Sequence, residues 1–166
     1  MHSLHPFPET SNLLPAMRAL LQRVKAASVT VDGHEVGSIG NGLLMLLGIG
    51  VMDGPEDLEW LARKTLQLRI FADALGAMNR SVTEVGGGIL VISQFTLFAR
   101  TIKGNRPSFV DAAPPDKAEA LYEAFHRLLA ARHCGPVASG KFGAHMEVSL
   151  INDGPVTIWI DTRERE

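Results

Sequence analysis

The sequence reads as a single-domain α/β protein, a layered sheet covered by two main helices. Three observations predict this. Apolar and β-branched runs open and close the chain, two segments of helical period lie between them, and an Asp-Gly dipeptide near the start suits a tight hairpin turn. With 166 residues, 46% hydrophobic and 20% charged, the chain can bury one real core and is not of disordered composition.

The elements follow in order. Residues 1–16, "MHSLHPFPETSNLLPA", hold three prolines and no basic start leading into an apolar stretch. They read as a flexible extension, neither a signal peptide nor a membrane span, and Met17 could serve as a second start. "ALLQRV" and "SVTVDGHEVGSI" are strands, the second folded about Asp32-Gly33. "GLLMLLGI" (42–49) is a short apolar run suited to a strand covered on both faces. In "DGPEDLEWLARKTLQL", Leu58, Leu61, Ala62, Thr65 and Leu66 share a helical face, with Pro55 and Glu56 suited to the first turn. "GGGILVISQFTLFAR" is a glycine-led strand, and "TIKGNRPSFVDAAPP" a long loop. A second helix starts at Asp116, with Ala118, Leu121, Tyr122, Phe125, Leu128 and Leu129 on one face. "MEVSLI" and "VTIWID" close the sheet around the turn-like "NDGPVT". Residues 17–162 are thus one domain, and 163–166 a charged tail.

Composition also narrows the chemistry. A net charge of -2 means that a nucleic-acid partner would meet a local basic patch, not a basic protein. The lone Cys134 excludes an intrachain disulfide and a multi-cysteine metal cage, and fits a reducing, cytoplasmic setting. The six histidines show no ligand spacing, and no GxSxG or other nucleophile signature is present. Gly86–Gly88 lacks the spacing of a phosphate loop and reads as a turn. No metal and no cofactor are expected.

Two stretches stand out. In "SQFTLF", Ser93, Gln94 and Thr96 fall in the most apolar strand of the chain. Either they alternate to solvent or bond across strands, or the strand ends with its hydroxyls and free N–H groups facing a cleft. In "NDGPVT", Gly154-Pro155 is either a plain turn or a piece of main chain that can aim two carbonyl oxygens the same way.

Together with "KGNRPSF", "DAAPP", "MRALLQRV" and "ASVTVDG", these motifs make the chain resemble the D-aminoacyl-tRNA deacylase family, from about Met17 to Asp161. The resemblance implies a barrel-like sandwich fold, a homodimer with active sites at the subunit interface, and hydrolysis of the ester between a D-amino acid and tRNA. Ser93, Gln94, Phe95, Thr96 and Leu97 would form the reactive wall. An N–H near Phe95 or Thr96 would serve as oxyanion hole and Thr96 would support attack by water. Gly154-Pro155, with a cis bond, would enter the partner's site and reject L-residues by clash, leaving glycine, as on mischarged glycyl-tRNA, unexcluded. Arg23 matches an arginine that braces the partner's Gly-Pro loop, with Asn152 and Thr157 in support. Arg100, Lys103 and Arg106 would meet tRNA phosphates, and Phe142 and Met146 the terminal adenosine. No DNA and no membrane partner is implied. The alternatives are a same-fold enzyme with a trans Gly-Pro acting on small L-aminoacyl-tRNA, a non-catalytic tRNA-binding dimer, and a generic Thr or Cys esterase.

Overall fold

The two strands of the first hairpin, β1 (Arg18–Val31) and β2 (His34–Ile39), turn at Asp32 and Gly33, whose φ values of 50° and 78° suit a two-residue turn. This computed structural model describes residues 16–165. The extension predicted for residues 1–15 lies outside the described residues. Ala16, grouped with it by sequence, is fully buried beside Met17. The Met17 N–H donates to the buried Asp53 carboxylate at 2.8 Å.

Next come β3 (Gly42–Gly48), helix α1 (Pro55–Gln67), a small ribbon of β4 (Phe71–Ala72) and β5 (Met78–Arg80), and β6 (Gly88–Ser93). A 3-10 turn (Phe95–Phe98), helix α2 (Pro115–Arg132), β7 (Val137–Ser139) and β8 (Glu147–Asp161) complete the chain. Helix α1 starts where expected: Pro55 stands in the first turn, and the Asp57 carboxylate accepts the Gly54 N–H at 3.1 Å.

Strand β1 organises the sheet. It pairs antiparallel with β3 through its first half, with β2 through its second, and with β8 along almost its whole length. Strands β3, β6 and β7 run parallel. Gly37 of β2 comes so near β7 that a Cβ there would stand 2.5 Å from the Ser139 carbonyl oxygen, so the sheet nearly closes into a barrel. The result is one α/β domain with two helices.

The unbroken apolar runs are explained by burial on both faces. Leu43, Met45, Leu47, Ile89 and Val91 pack in one cluster with Leu61, Phe125 and Leu129 of the helices. Their strand neighbours Leu44, Leu90 and Ile92 pack in a second with Val24, Val29 and Ile39. Burying each such side chain contributes about 1.5–3 kcal/mol.

The structure corrects three readings. "MEVSLI" and "VTIWID" are one continuous strand, β8, because both halves pair with β1 and "NDGPVT" bulges out between them. The strand through "SQFTLF" ends at Ser93, after which the chain coils. The ribbon β4–β5 and the short β7 were not foreseen; with two or three residues per strand they leave no periodic signal. Among the described residues, no helix is long and apolar enough to cross a membrane.

Candidate active site

Strand β6 keeps its register with β3 up to Gln94, whose N–H still donates to the Leu47 carbonyl at 2.8 Å. The chain then coils, and the Leu97 and Ala99 N–H groups bond back to Gln94 and Thr96 at 3.3 and 3.1 Å. The first N–H groups of a coil have no internal acceptor. Those of Phe95 and Thr96 accordingly make no hydrogen bond among the described residues. Phe98, fully buried, anchors the coil from behind. Arg18 braces it: its Nη1 donates to the Leu97 carbonyl at 2.8 Å, its Nε meets Asp161 at 3.2 Å, and its guanidinium lies 4.9 Å from the Phe98 ring centre. Sequence reading did not single out Arg18; a charge opening an otherwise apolar strand was the available signal.

The coil borders a cavity of about 680 Å³, walled by the ends of β3 and β6, the start of α2 and the segment before β8. Ser93, Gln94, Phe95, Phe142 and Met146, all singled out from sequence, line it, as do Phe109 and His145, which were not. The Phe95 and Phe109 rings meet edge to face, 5.1 Å apart at 75°. Phe142 leans on Tyr122, whose hydroxyl donates to the Val91 carbonyl at 2.8 Å. Burial pushes the Tyr122 pKa up to about 12, so this phenol stays neutral and serves packing. The walls are therefore mostly apolar and aromatic, with Ser93 and Gln94 at the β6 end and His145 before β8 as the polar side chains.

Thr96 is exposed beside this cavity, and its hydroxyl accepts a hydrogen bond from the Gln94 side-chain amide. No histidine or carboxylate bonds to it among the described residues, so nothing there resembles a nucleophile with its base. Cys134 is exposed, does not line the cavity, and has only the Thr83 carbonyl at 4.0 Å for a partner. Among the described residues no cluster of three or more His, Cys, Asp or Glu could hold a metal ion.

Gly154 and Pro155 lie elsewhere. Between the pairs Gln22–Thr157 and Val24–Asn152, residues 153–156 of β8 bulge out opposite Arg23. Asn152 holds the base of the bulge: its Oδ1 accepts the Val156 N–H at 2.9 Å, and its Nδ2 reaches the Thr157 hydroxyl at 3.3 Å. The Gly154–Pro155 bond is cis, the isomer that the resemblance implies. Gly154 has φ 146°, and a Cβ there would stand 2.7 Å from the Val156 Cγ2. Gly154 and Pro155 are exposed, and no residue of 152–157 lines the cavity of its own chain.

Within its own chain Arg23 holds the loop, donating from Nε to the Asp153 carbonyl at 2.9 Å and from Nη1 to the Ile70 carbonyl at 2.6 Å. The antiparallel pairing of β1 with β8 brings these groups together within one chain. Of the three basic residues assigned to phosphates, Lys103 and Arg106 are exposed and make no ion pair among the described residues. Arg100 is engaged, its guanidinium gripping Asp111 at 2.5 and 2.8 Å.

Comparison with known proteins gives the family and the fold. A family model described as D-Tyr-tRNA(Tyr) deacylase matches residues 20–161. The D-aminoacyl-tRNA deacylase of Opitutus terrae is 59% identical over 150 residues, which is 90% of this chain and 100% of that one. A solved structure described as c-Myc DNA Unwinding Element Binding Protein aligns with TM-score 0.82 at 43% identity, over 86% of this chain and 97% of the other. Another, described as "a probable eukaryotic D-amino acid tRNA deacylase", aligns with TM-score 0.77 over 87% and 98%; at 20% identity this is a likeness of fold.

Proposed function

The chain belongs to the D-Tyr-tRNA(Tyr) deacylase family, and from that premise we propose that it hydrolyses the ester of D-aminoacyl-tRNA to free D-amino acid and tRNA. One observation carries the reading: two unengaged main-chain N–H groups, of Phe95 and Thr96, at the edge of an aromatic cavity. An activated ester needs stabilisation of developing negative charge more than a strong nucleophile. Each such donor is typically worth about 2.7–4 kcal/mol.

The chemistry follows. Water, aided by the neighbouring ribose hydroxyl, adds to the carbonyl carbon, and the oxyanion settles against the two N–H groups. The ester C–O bond then breaks and the ribose oxygen leaves with a proton. Gln94 holds the Thr96 hydroxyl in place, and Thr96 supports the water. Phe95, Phe109, Phe142 and Met146 take the terminal adenosine, where one stacked base is worth about 1–3 kcal/mol. Lys103 and Arg106 stand free for the phosphates of the acceptor end.

The chirality filter needs a second copy. Gly154–Pro155 is exposed and absent from its own chain's cavity, so its action on the ester requires a homodimer. The edge strand β8, with Leu150, Ile151 and Trp159 exposed by 37%, 59% and 49%, supports such an assembly. In it, the Gly154 and Pro155 carbonyls meet the substrate ammonium and crowd the side of Cα where an L-residue carries its side chain. Glycine offers nothing to crowd, so glycyl-tRNA, including glycine mischarged on tRNA-Ala, is a further substrate. The setting is the cytoplasmic tRNA pool.

The test is turnover. A trace of protein should release many equivalents of free tRNA from D-tyrosyl-tRNA. Tight binding with an unchanged ester lifetime would overturn the hydrolase reading in favour of a tRNA-binding dimer.

A further inference from the structure

Between the 3-10 turn and α2 the chain makes an excursion, residues 101–107, that leaves and returns at one point. Arg100 and Ser108 close its neck with two mutual main-chain bonds, Arg100 N–H to the Ser108 carbonyl at 2.8 Å and Ser108 N–H to the Arg100 carbonyl at 3.0 Å. The Arg100 side chain then reaches past the neck. Its Nε and Nη2 donate to the two carboxylate oxygens of Asp111 at 2.5 and 2.8 Å. Asp111 is 5% exposed, and its carbonyl accepts the Val51 N–H at 3.0 Å, which ties the return path to the end of β3. Phe109 stands between the neck and Asp111, its ring edge to face with Phe95 in the cavity wall.

We propose that Arg100 is a positioning residue: its fork on Asp111 sets Phe109 as an aromatic wall of the nucleoside cavity, and the guanidinium is not a phosphate ligand. This rests on the reading that the cavity takes the terminal nucleoside of the substrate. A bidentate pair with a largely buried carboxylate takes one edge of the guanidinium, its Nε and Nη2, and offsets its charge, which leaves less for a phosphate. Lys103 and Arg106, out on the excursion, are the cations left for the backbone. The clamp thus separates two tasks on one loop: its root shapes the cavity and its tip meets charge.

Three readouts on the full-length protein test this. With D-tyrosyl-tRNA, Arg100→Ala should raise KM about tenfold and change kcat less than about twofold. Asp111→Asn should do the same, and the double variant should be no worse than either single change, because both break one clamp. The salt dependence of KM should keep its slope in Arg100→Ala, whereas Lys103→Ala should lower it by about 0.7–0.9. Hydrogen exchange at the Arg100 and Ser108 amides should quicken in both clamp variants while that at Phe125 in α2 stays slow, which separates a loosened loop from a misfolded chain. A lowered salt slope in Arg100→Ala, a wild-type KM in Asp111→Asn, or unchanged exchange at the neck would each overturn the inference. Lack of turnover by the wild-type protein would sink the functional reading instead, and the exchange measurement, which needs no substrate, would still decide the clamp.

Discussion

Arg23 donates to the main-chain carbonyl of Asp153 at 2.9 Å, one residue before Gly154. With its second bond to Ile70, the guanidinium ties the bulge of β8 to the chain beyond α1. Arg23→Ala should therefore lower D-aminoacyl-tRNA hydrolysis by about a hundredfold through misplacement of Gly154–Pro155. Arg23→Lys, which cannot make the same fork, should recover little of it. Single-turnover rates for the two variants, with thermal melts to confirm folding, check this.

Gly154→Ala adds a methyl group at φ 146°, 2.7 Å from the Val156 side chain. The loop is exposed, so the fold should survive with a loss of no more than about 1–3 kcal/mol. Activity should fall at least about tenfold, and D-over-L selectivity with it. Initial rates on paired D- and L-esters, read beside a denaturant melt, separate the two effects.

The hydroxyl of Thr96 accepts from Gln94 and has no base beside it. Thr96→Ala leaves the main-chain N–H in place, so the rate should drop by no more than about tenfold. Loss of the oxyanion donor itself would cost about 10²–10³. A drop of about 10⁴ or more in Thr96→Ala would instead make the hydroxyl the nucleophile.

Asp53 gives a pH dependence of stability. Burial raises its pKa to about 6, above the ordinary 3.8, against the lowering effect of the Gly50 and Met17 N–H groups it accepts. The folded state then holds the proton more tightly than the unfolded chain. This contribution is present in full below about pH 4 and is lost as the pH rises through about 6. Asp53→Asn should flatten that slope, so that between about pH 4.5 and about pH 7.5 the variant gains about 1–2 kcal/mol relative to wild type. Urea unfolding at the two pH values measures it.

Much of this was legible in the sequence because local chemistry and tertiary context agree. Asp32-Gly33 turns where it should, and the faces of α1 and α2 bury Leu58, Leu61, Phe125 and Leu129. The cavity gathers Ser93, Gln94 and Phe95 with Phe142 and Met146, the last two singled out by the resemblance and not by local chemistry. What escaped was set by pairing. Asn-Asp-Gly-Pro reads as the end of a hairpin, yet β1 is long enough to pair with both flanks, so the four residues bulge instead. Arg100 looked like a free cation because its partner, Asp111, meets it only when the loop closes. Arg18 and Phe109 stand inside "MRALLQRV" and "KGNRPSF", but nothing local in those stretches says what they touch; only the fold brings them to the coil and the cavity.

The most direct test compares D-tyrosyl-tRNA with L-tyrosyl-tRNA under trace protein. Rapid multiple-turnover loss of the D-ester is expected, with an L-ester that decays no faster than in buffer. Equal loss of both would contradict the chirality filter at Gly154–Pro155, and an unchanged D-ester would contradict the hydrolytic role of the Phe95 and Thr96 N–H groups.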